Sequence, residues 1–355
     1  MIGNVIFTTA IPPQSKRDEN FVVYTVLTLS RNIAGYDLPA RLDDKQKKEI
    51  NAKIKEFLST LPDGDSMTDI TYITSRDVEL LGIIDREILE YDIIKFLNTK
   101  NRSIKIYLEN RIRYSITTNF YDHFYVRSTF TGNSIDETFD IIERYSILFD
   151  DYFVPAFNKS YGYITSDVST IGHGVKVKFL LNIWGLRNSS NFENVLDTLS
   201  SNGILYNRNP LYDRTSFMEF TYSFQPDKSM IANKILFKTL IDRVKEVEMN
   251  ERIKMEQRFS VHNLIKEYND FKNTIKSANF IHYKAFVSLI SKLSMISFFS
   301  SMRDSETIDL SEMINYLILL LRDASIMLYS NIPPTESLVG RERAAMLKKF
   351  FNLNK

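Results

Sequence analysis

Residues 162–179, GYITSDVSTIGHGVKVKF, constrain the fold more than any other stretch of this chain. Gly172 and Gly174 flank His173, and in the run that follows Val175, Val177 and Phe179 alternate with Lys176 and Lys178. A period of two is a strand signal, and it places both lysines on one face and the apolar side chains on the other. A glycine turn running into a strand with paired ammonium groups suits a phosphate, held by backbone N–H groups and charge. Such patterns are common, so on spacing alone the plainer reading takes precedence: a loop entering an amphipathic strand whose lysines face water.

The rest of the chain supplies partners for such a strand. Residues 21–33, FVVYTVLTLSRNI, are β-branched and aromatic, and read as a strand. IKIYLEN (104–110), YSITTNF (114–120) and residues 123–131 read as a meander, which suggests an antiparallel sheet. Residues 203–206 and 217–224 read as further strands. Helices are expected at 43–61, with Asp43 or Asp44 as N-cap and Ile50, Ile54, Phe57 and Leu58 on one face, within 78–97, and at 191–199. Another is expected at 135–153, with Ile135, Phe139, Ile142, Ile147 and Phe149 in helical spacing. LPDGDSMTD (61–69) reads as a loop. A long helix is expected at 228–258, its middle, DRVKEVEMNERIKMEQR, mostly solvated charge. From residue 261 only helical patterns follow, at 261–275, 283–299, 310–330 and 336–352, with Pro333 and Pro334 separating the last two. The fold class is α+β: an antiparallel sheet flanked by helices over residues 1–255, then a small all-helical domain over 256–355.

Composition narrows the function classes. With 45 basic and 44 acidic side chains the net charge is +1, which argues against a nucleic-acid binder. The chain has no cysteine, which removes disulfides, thiolate zinc sites and a cysteine nucleophile. No apolar run is long enough to span a membrane, and residues 1–20 do not resemble a secretory leader, so a cytoplasmic protein is expected. The four histidines, His123, His173, His262 and His282, show no strong metal-ligand spacing, and no metal site is expected. GRERAAMLKK (340–349) reads as a basic helix start, either solvated or recognising an anion.

Several stretches in order resemble the bacterial protein-arginine kinases, relatives of creatine and arginine kinase. The family's GYLTSCPTNxGTGLRASV is similar to residues 162–179, its SSRIRLARNL to YTVLTLSRNI (24–33), and its NEEDHLRI to NFYDHFYV (119–126). Its ERHLIS resembles DREILE (85–90), its VRGxYGExSE loop falls on RNPLYDRTSF (208–217), and its C-terminal helices resemble residues 315–331 and 341–351. The resemblance implies the guanidino-kinase fold. It also implies transfer of the γ-phosphoryl group of ATP, with magnesium, to a guanidinium in a dimeric protein.

That chemistry needs several cations around the phosphates and a carboxylate to take the proton of the attacking nitrogen. Against the family pattern, the arginines of SSRIR fall on Val26 and Thr28, that of EDHLR on Tyr125, and that of VRG near Asn209. The arginine of GLRAS becomes Lys176, which keeps charge without the bidentate fork. The carboxylates of NEED fall on Phe120 and Tyr121, the histidine of ERH on Glu87, the glutamate of YGE on Arg214 and the thiol on Asp167. The resemblance therefore implies a catalytically degenerate member, a pseudokinase that binds a protein partner. Candidates are a second copy, an active arginine kinase or a chaperone–protease system. Lys176, Lys178, His123, Arg208 and Arg214 would remain for nucleotide, and Arg341 and Arg343 would fall on the phosphoarginine-reading motif. An active alternative would use Asp167 as the carboxylate and Lys176 as a cation. A third reading has the aromatic rings of Phe120, Tyr121 and Tyr125 filling the cleft.

Overall fold

The computed structural model describes residues 21–353 apart from 62–66, 72–76, 99–102, 133, 257–259, 302–313, 315–316, 320 and 334. The leader reading at residues 1–20, part of the 61–69 loop, part of the 310–330 helix and Pro334 lie outside the described residues.

Ten strands occur among the described residues: β1 (Val22–Arg31), β2 (Met67–Asp69), β3 (Lys105–Glu109), β4 (Tyr114–Thr118), β5 (Phe124–Thr131), β6 (Phe157–Asn158), β7 (Gly162–Tyr163), β8 (Val175–Asn182), β9 (Ile204–Asn207) and β10 (Phe217–Ser223). Eight form one sheet in the order β2-β3-β4-β5-β1-β8-β10-β9, and every pairing is antiparallel. β6 and β7 make a small hairpin beside it. The 162–179 stretch becomes β7, a turn and β8, and β8 lies near the centre of the sheet between β1 and β10.

The helices are α1 (Asp44–Thr60), α2 (Val78–Asp85), α3 (Ile93–Leu97), α4 (Ile135–Tyr152), α5 (Trp184–Arg187), α6 (Phe192–Ser201), α7 (Met230–Glu256), α8 (Val261–Ser277), α9 (Tyr283–Ser301), α10 (Asp323–Ser330) and α11 (Glu336–Phe350). Asp43 caps α1 in a reciprocal box with Gln46, as its sequence suggests. Residues 78–97 form two short helices joined by a turn. Ile147 of α4 is 56% exposed, and Tyr145 and Ser146 are buried in its place. Helical spacing at 3.6 residues tolerates either choice until the sheet sets the rotation.

One face of the sheet buries Leu27, Leu29, Val126, Val175, Val177, Phe179 and Phe220 against α1, α4 and α7. On the other face, Tyr24, Val26, Leu180 and Phe217 share a core with Phe271, Ile275, Phe286 and Ile290 of the C-terminal helices. The middle of α7 is not mostly solvated. Glu248 and Arg252 are buried and paired at 2.6 Å, and the Glu248 carboxylate accepts from the backbone N–H groups of Gly185 and Leu186 at 2.9 and 2.6 Å. Its negative charge caps the start of α5, which sequence spacing within α7 does not reveal.

Candidate functional site

The glycine turn is built by close backbone contact. Gly174 has φ +66°, and a Cβ there would lie 2.3 Å from the Ser30 carbonyl oxygen. The N–H of Gly172 donates to the Tyr163 carbonyl at 3.1 Å, and that of Gly174 to the Thr170 carbonyl at 2.8 Å. Both groups are spent inside the protein, so the phosphate-cradle reading of these two N–H groups does not hold. Arg31 closes the turn from behind. It is fully buried, donates from Nη1 to the carbonyls of Ser30 and His173 at 2.9 and 2.7 Å and from Nη2 to Ser146 Oγ at 2.5 Å, and lies 3.5 Å above the Tyr163 ring.

A polar knot holds the neighbouring loops. Asn32 Nδ2 donates to Asp122 Oδ1 at 2.7 Å, and the Ser166 N–H reaches the same oxygen at 2.8 Å. Asn32 Oδ1 accepts from the His123 N–H at 2.9 Å. His123 Nδ1 accepts from the Ile33 N–H at 3.0 Å, which leaves the ring proton on Nε2 to be donated to the Asp37 carbonyl at 2.8 Å. Burial lowers the imidazole pKa to about 4. His123 is thus neutral and has no ring nitrogen left for a nucleotide, which corrects its assignment as a binding residue.

Between the loops and the sheet lies a cavity of about 610 Å³ lined by Thr28, Tyr125, Arg127, Lys176, Lys178 and Glu219, with Ser30, Glu90, Tyr121, Asp122, Asp167 and Asn207 around them. Strand register explains the lining. Thr28 is paired with Arg127 on one side and Lys176 on the other, and Lys178 with Thr221, so these side chains share a face. A second cavity of about 480 Å³, lined by Glu87, Tyr283 and Arg322 among others, shares Glu90, Lys178 and Glu219 with the first.

Every cation lining these cavities is paired with a carboxylate of the chain. Lys176 Nζ is 3.1 Å from Asp167 Oδ2. Lys178 Nζ is 2.5 Å from Glu87 Oε2 and 3.9 Å from Glu219 Oε2. Arg127 donates to Glu87 Oε2 at 2.8 Å and to Glu90 Oε1. Arg322, from the turn before α10, reaches Glu87 Oε1 at 3.2 Å. Burial alone would raise the Glu87 pKa, but the Lys178, Arg322 and Arg127 charges outweigh it and hold the carboxyl well below the usual carboxylate range. For Asp167, burial is likewise outweighed, here by hydrogen bonds from Ser169 and Lys176, and its pKa is lowered. Burial raises that of Asp122.

Sequence reasoning named Lys176, Lys178 and Asp167, which the structure brings together along one cavity. It missed Arg127, which shares a face with Tyr125 by simple alternation and was legible on that ground. Arg322 carried no such signal, since only tertiary packing brings it to Glu87. Arg208 and Arg214 are exposed and line neither cavity. The rings divide: Tyr121 and Tyr125 wall the cleft, with hydroxyls donating to Asp92 and Glu90 at 2.7 and 3.0 Å, while Phe120 turns into an apolar core against Phe96. They narrow the cleft without filling it. In the C-terminal helical region, Arg343 is buried inside α11, donating to the Leu321 and Ile281 carbonyls at 2.9 and 2.6 Å and to Asp323, which lines the second cavity. Its guanidinium is committed, which corrects both the basic-helix-start reading and its phosphoarginine role; Arg341 is exposed on the same helix.

Residues 49–253 match the family model for the ATP:guanido phosphotransferase C-terminal catalytic domain. The chain belongs to the ATP:guanido phosphotransferase family. Among similar proteins, the protein-arginine kinase of Clostridium acetobutylicum is 26% identical over 190 residues, covering 53% of this chain and 54% of the relative. That of Brevibacillus brevis is 21% identical over 190 residues, 53% and 52% of the two chains. The chain spans about half the length of the curated relatives it matches. Lombricine kinase shares the fold with a TM-score of 0.53 at 17% identity, over 68% of this chain and 72% of that one. The duplicated taurocyamine kinase of Schistosoma mansoni does so with a TM-score of 0.58 at 15% identity, over 75% and 40%. The antiparallel sheet flanked by helices is therefore the guanidino-kinase fold, with a helical C-terminal region. Within this ATP:guanido phosphotransferase fold, the donors do not suit a magnesium-bound triphosphate, because each cavity-lining cation already faces a carboxylate of the chain. Among the described residues no group of three His, Asp or Glu side chains could hold a metal ion, and no helix is long and apolar enough to cross a membrane.

Proposed function

We propose that this chain is a catalytically degenerate relative of protein-arginine kinase that acts by binding a protein partner, with nucleotide as a weak ligand at most. The observation that carries this reading is the pairing of Lys176, Lys178, Arg127 and Arg322 with Asp167, Glu219, Glu87 and Glu90. Phosphoryl transfer needs positive charge free to meet the transferred group, and a missing donor of this kind typically costs about 2.7–4 kcal/mol of transition-state stabilisation. Here the carboxylates lining the two cavities outnumber the cations, so an entering triphosphate meets no unpaired positive charge. Exposed apolar side chains beside the glycine turn, Val154, Phe157, Tyr161 and Val168, favour a protein as the partner.

The active alternative, with Asp167 as base and Lys176 as cation, has the two in contact. That contact lowers the proton affinity of Asp167, whereas a general base works best with a pKa near the operating pH. Asp122, which burial pushes upward, suits the role better and lines the same cavity. The deciding experiment is calorimetric titration with Mg-ATP beside a transfer assay using free arginine and an arginine-rich protein. Absent transfer with weak or no binding is the expected result. Transfer at a rate typical of kinases, abolished by Asp167→Ala and by Lys176→Ala, would establish the active alternative; transfer that survives both and is lost in Asp122→Asn would move the base to Asp122.

A further inference from the structure

Glu87 stands in the cleft as a ligand would. Its carboxylate receives Arg127 Nη2 from β5, Lys178 Nζ from β8 and Arg322 Nη1 from the turn before α10, at 2.8, 2.5 and 3.2 Å. Three donors from three separate elements thus converge on one small anion. A phosphoryl group, with three or four acceptor oxygens and a larger charge, offers these donors at least as many partners as a carboxylate does. None of the three cations falls on an arginine of the family pattern, so the cage is a feature of this chain's own residues. The two cavities meet at Lys178, Glu90 and Glu219, which leaves room beside the cage for an anion larger than a carboxylate.

The backbone supplies an independent observation. Glu87 has φ +63°, a left-handed conformation uncommon for a residue with a side chain. It is pinned there from several sides. Its carbonyl accepts from Arg127 Nε and Thr129 Oγ1, both at 2.6 Å, and its N–H donates to the Ile84 carbonyl at 2.8 Å. Strain of this kind persists only where the surroundings over-determine it. Here it aims the carboxylate into the cage.

We propose that Arg127, Lys178 and Arg322 form a phosphoryl-anion site, and that Glu87 is its built-in occupant. The site is closed in the resting protein because the chain supplies the anion itself. Because Arg322 belongs to the C-terminal helical region, the same contact ties that region to the cleft. The inference rests on the cage geometry and stands whether or not the chain transfers phosphate.

The test is calorimetric titration of inorganic tripolyphosphate, at low salt and without magnesium, into the full-length protein. Wild type, Glu87→Gln, and Glu87→Gln combined with Lys178→Met are compared. Glu87→Gln should bind at least fivefold more tightly than wild type, and Lys178→Met should remove the gain. A smaller gain, or one that survives Lys178→Met, overturns the proposal. If Glu87→Gln does not fold in plain buffer, refolding with tripolyphosphate is compared with refolding in chloride of equal ionic strength. Recovery only with tripolyphosphate supports the site, and equal recovery or none overturns it.

Discussion

The knot behind the glycine turn and the floor of the cleft lie on neighbouring strands, yet they treat charge in opposite ways. In the knot, Arg31, Asn32, Asp122 and His123 are residues that the family pattern also has, and they mostly bind backbone and one another. On the floor, Thr28, Tyr125 and Lys176 depart from the pattern, and the charges present are closed into pairs. The contrast shows that a residue's retention marks what the fold needs, because a buried polar group without its partners is costly. The more exposed cleft-facing positions, Lys176 and Asp167 among them, carry less of that penalty and are freer to change with function.

The contrast can be broken at Arg31. Arg31→Met removes a fully buried guanidinium that joins β1, α4 and the glycine turn, leaving the His173 carbonyl and Asp150 without it. Loss of one member of such a network should cost about 3–5 kcal/mol in a denaturant titration. A cost under 1 kcal/mol would mean the knot is not what holds the turn.

Acid titration sharpens the comparison. His123, at about 4 in the fold against 6.5 unfolded, binds fewer protons when folded between those values, so its contribution is complete above pH 6.5 and is lost as pH falls toward 4. The loss amounts to roughly 3 kcal/mol. Asp85, in the second cavity, behaves oppositely. Burial raises it to about 6 from 3.8, although it accepts from the N–H groups of Ala324 and Ser325, so it costs roughly 3 kcal/mol above pH 6 and that cost fades as pH falls toward 4. The two nearly cancel between pH 6.5 and 4.5. Asp85→Asn should stabilise the protein at pH 7 and steepen its loss of stability in that window, as read by unfolding at stepped pH. An unchanged slope would refute the raised pKa of Asp85.

The smallest effect is expected at Lys176. Its pair with Asp167 is well exposed, so Lys176→Ala should change stability by less than about 1 kcal/mol, in contrast to Arg31. A large loss would place Lys176 with the structural residues and not with the cleft.

Much of the fold was legible from local pattern. Alternation of Lys176 and Lys178 with Val175, Val177 and Phe179 defined β8 and its two faces, because a strand's side chains alternate whatever surrounds it. Asp43 announced the start of α1 for a similarly local reason, since its cap reaches only three residues ahead. Spacing could not say how α4 rotates, and so misplaced Ile147. Nor could it show that Glu248 within α7 would be buried to cap α5. The site divided along the same line. The sequence by itself brought Asp167, Lys176 and Lys178 to one strand and turn, and it showed that the family's arginines and carboxylates are replaced. Only the tertiary structure decided that Glu87 meets Arg127, Lys178 and Arg322, contacts that span up to 235 residues of chain. Pairing of buried charge depends on which elements pack against each other, and that is set by the whole core and not by any local run of residues.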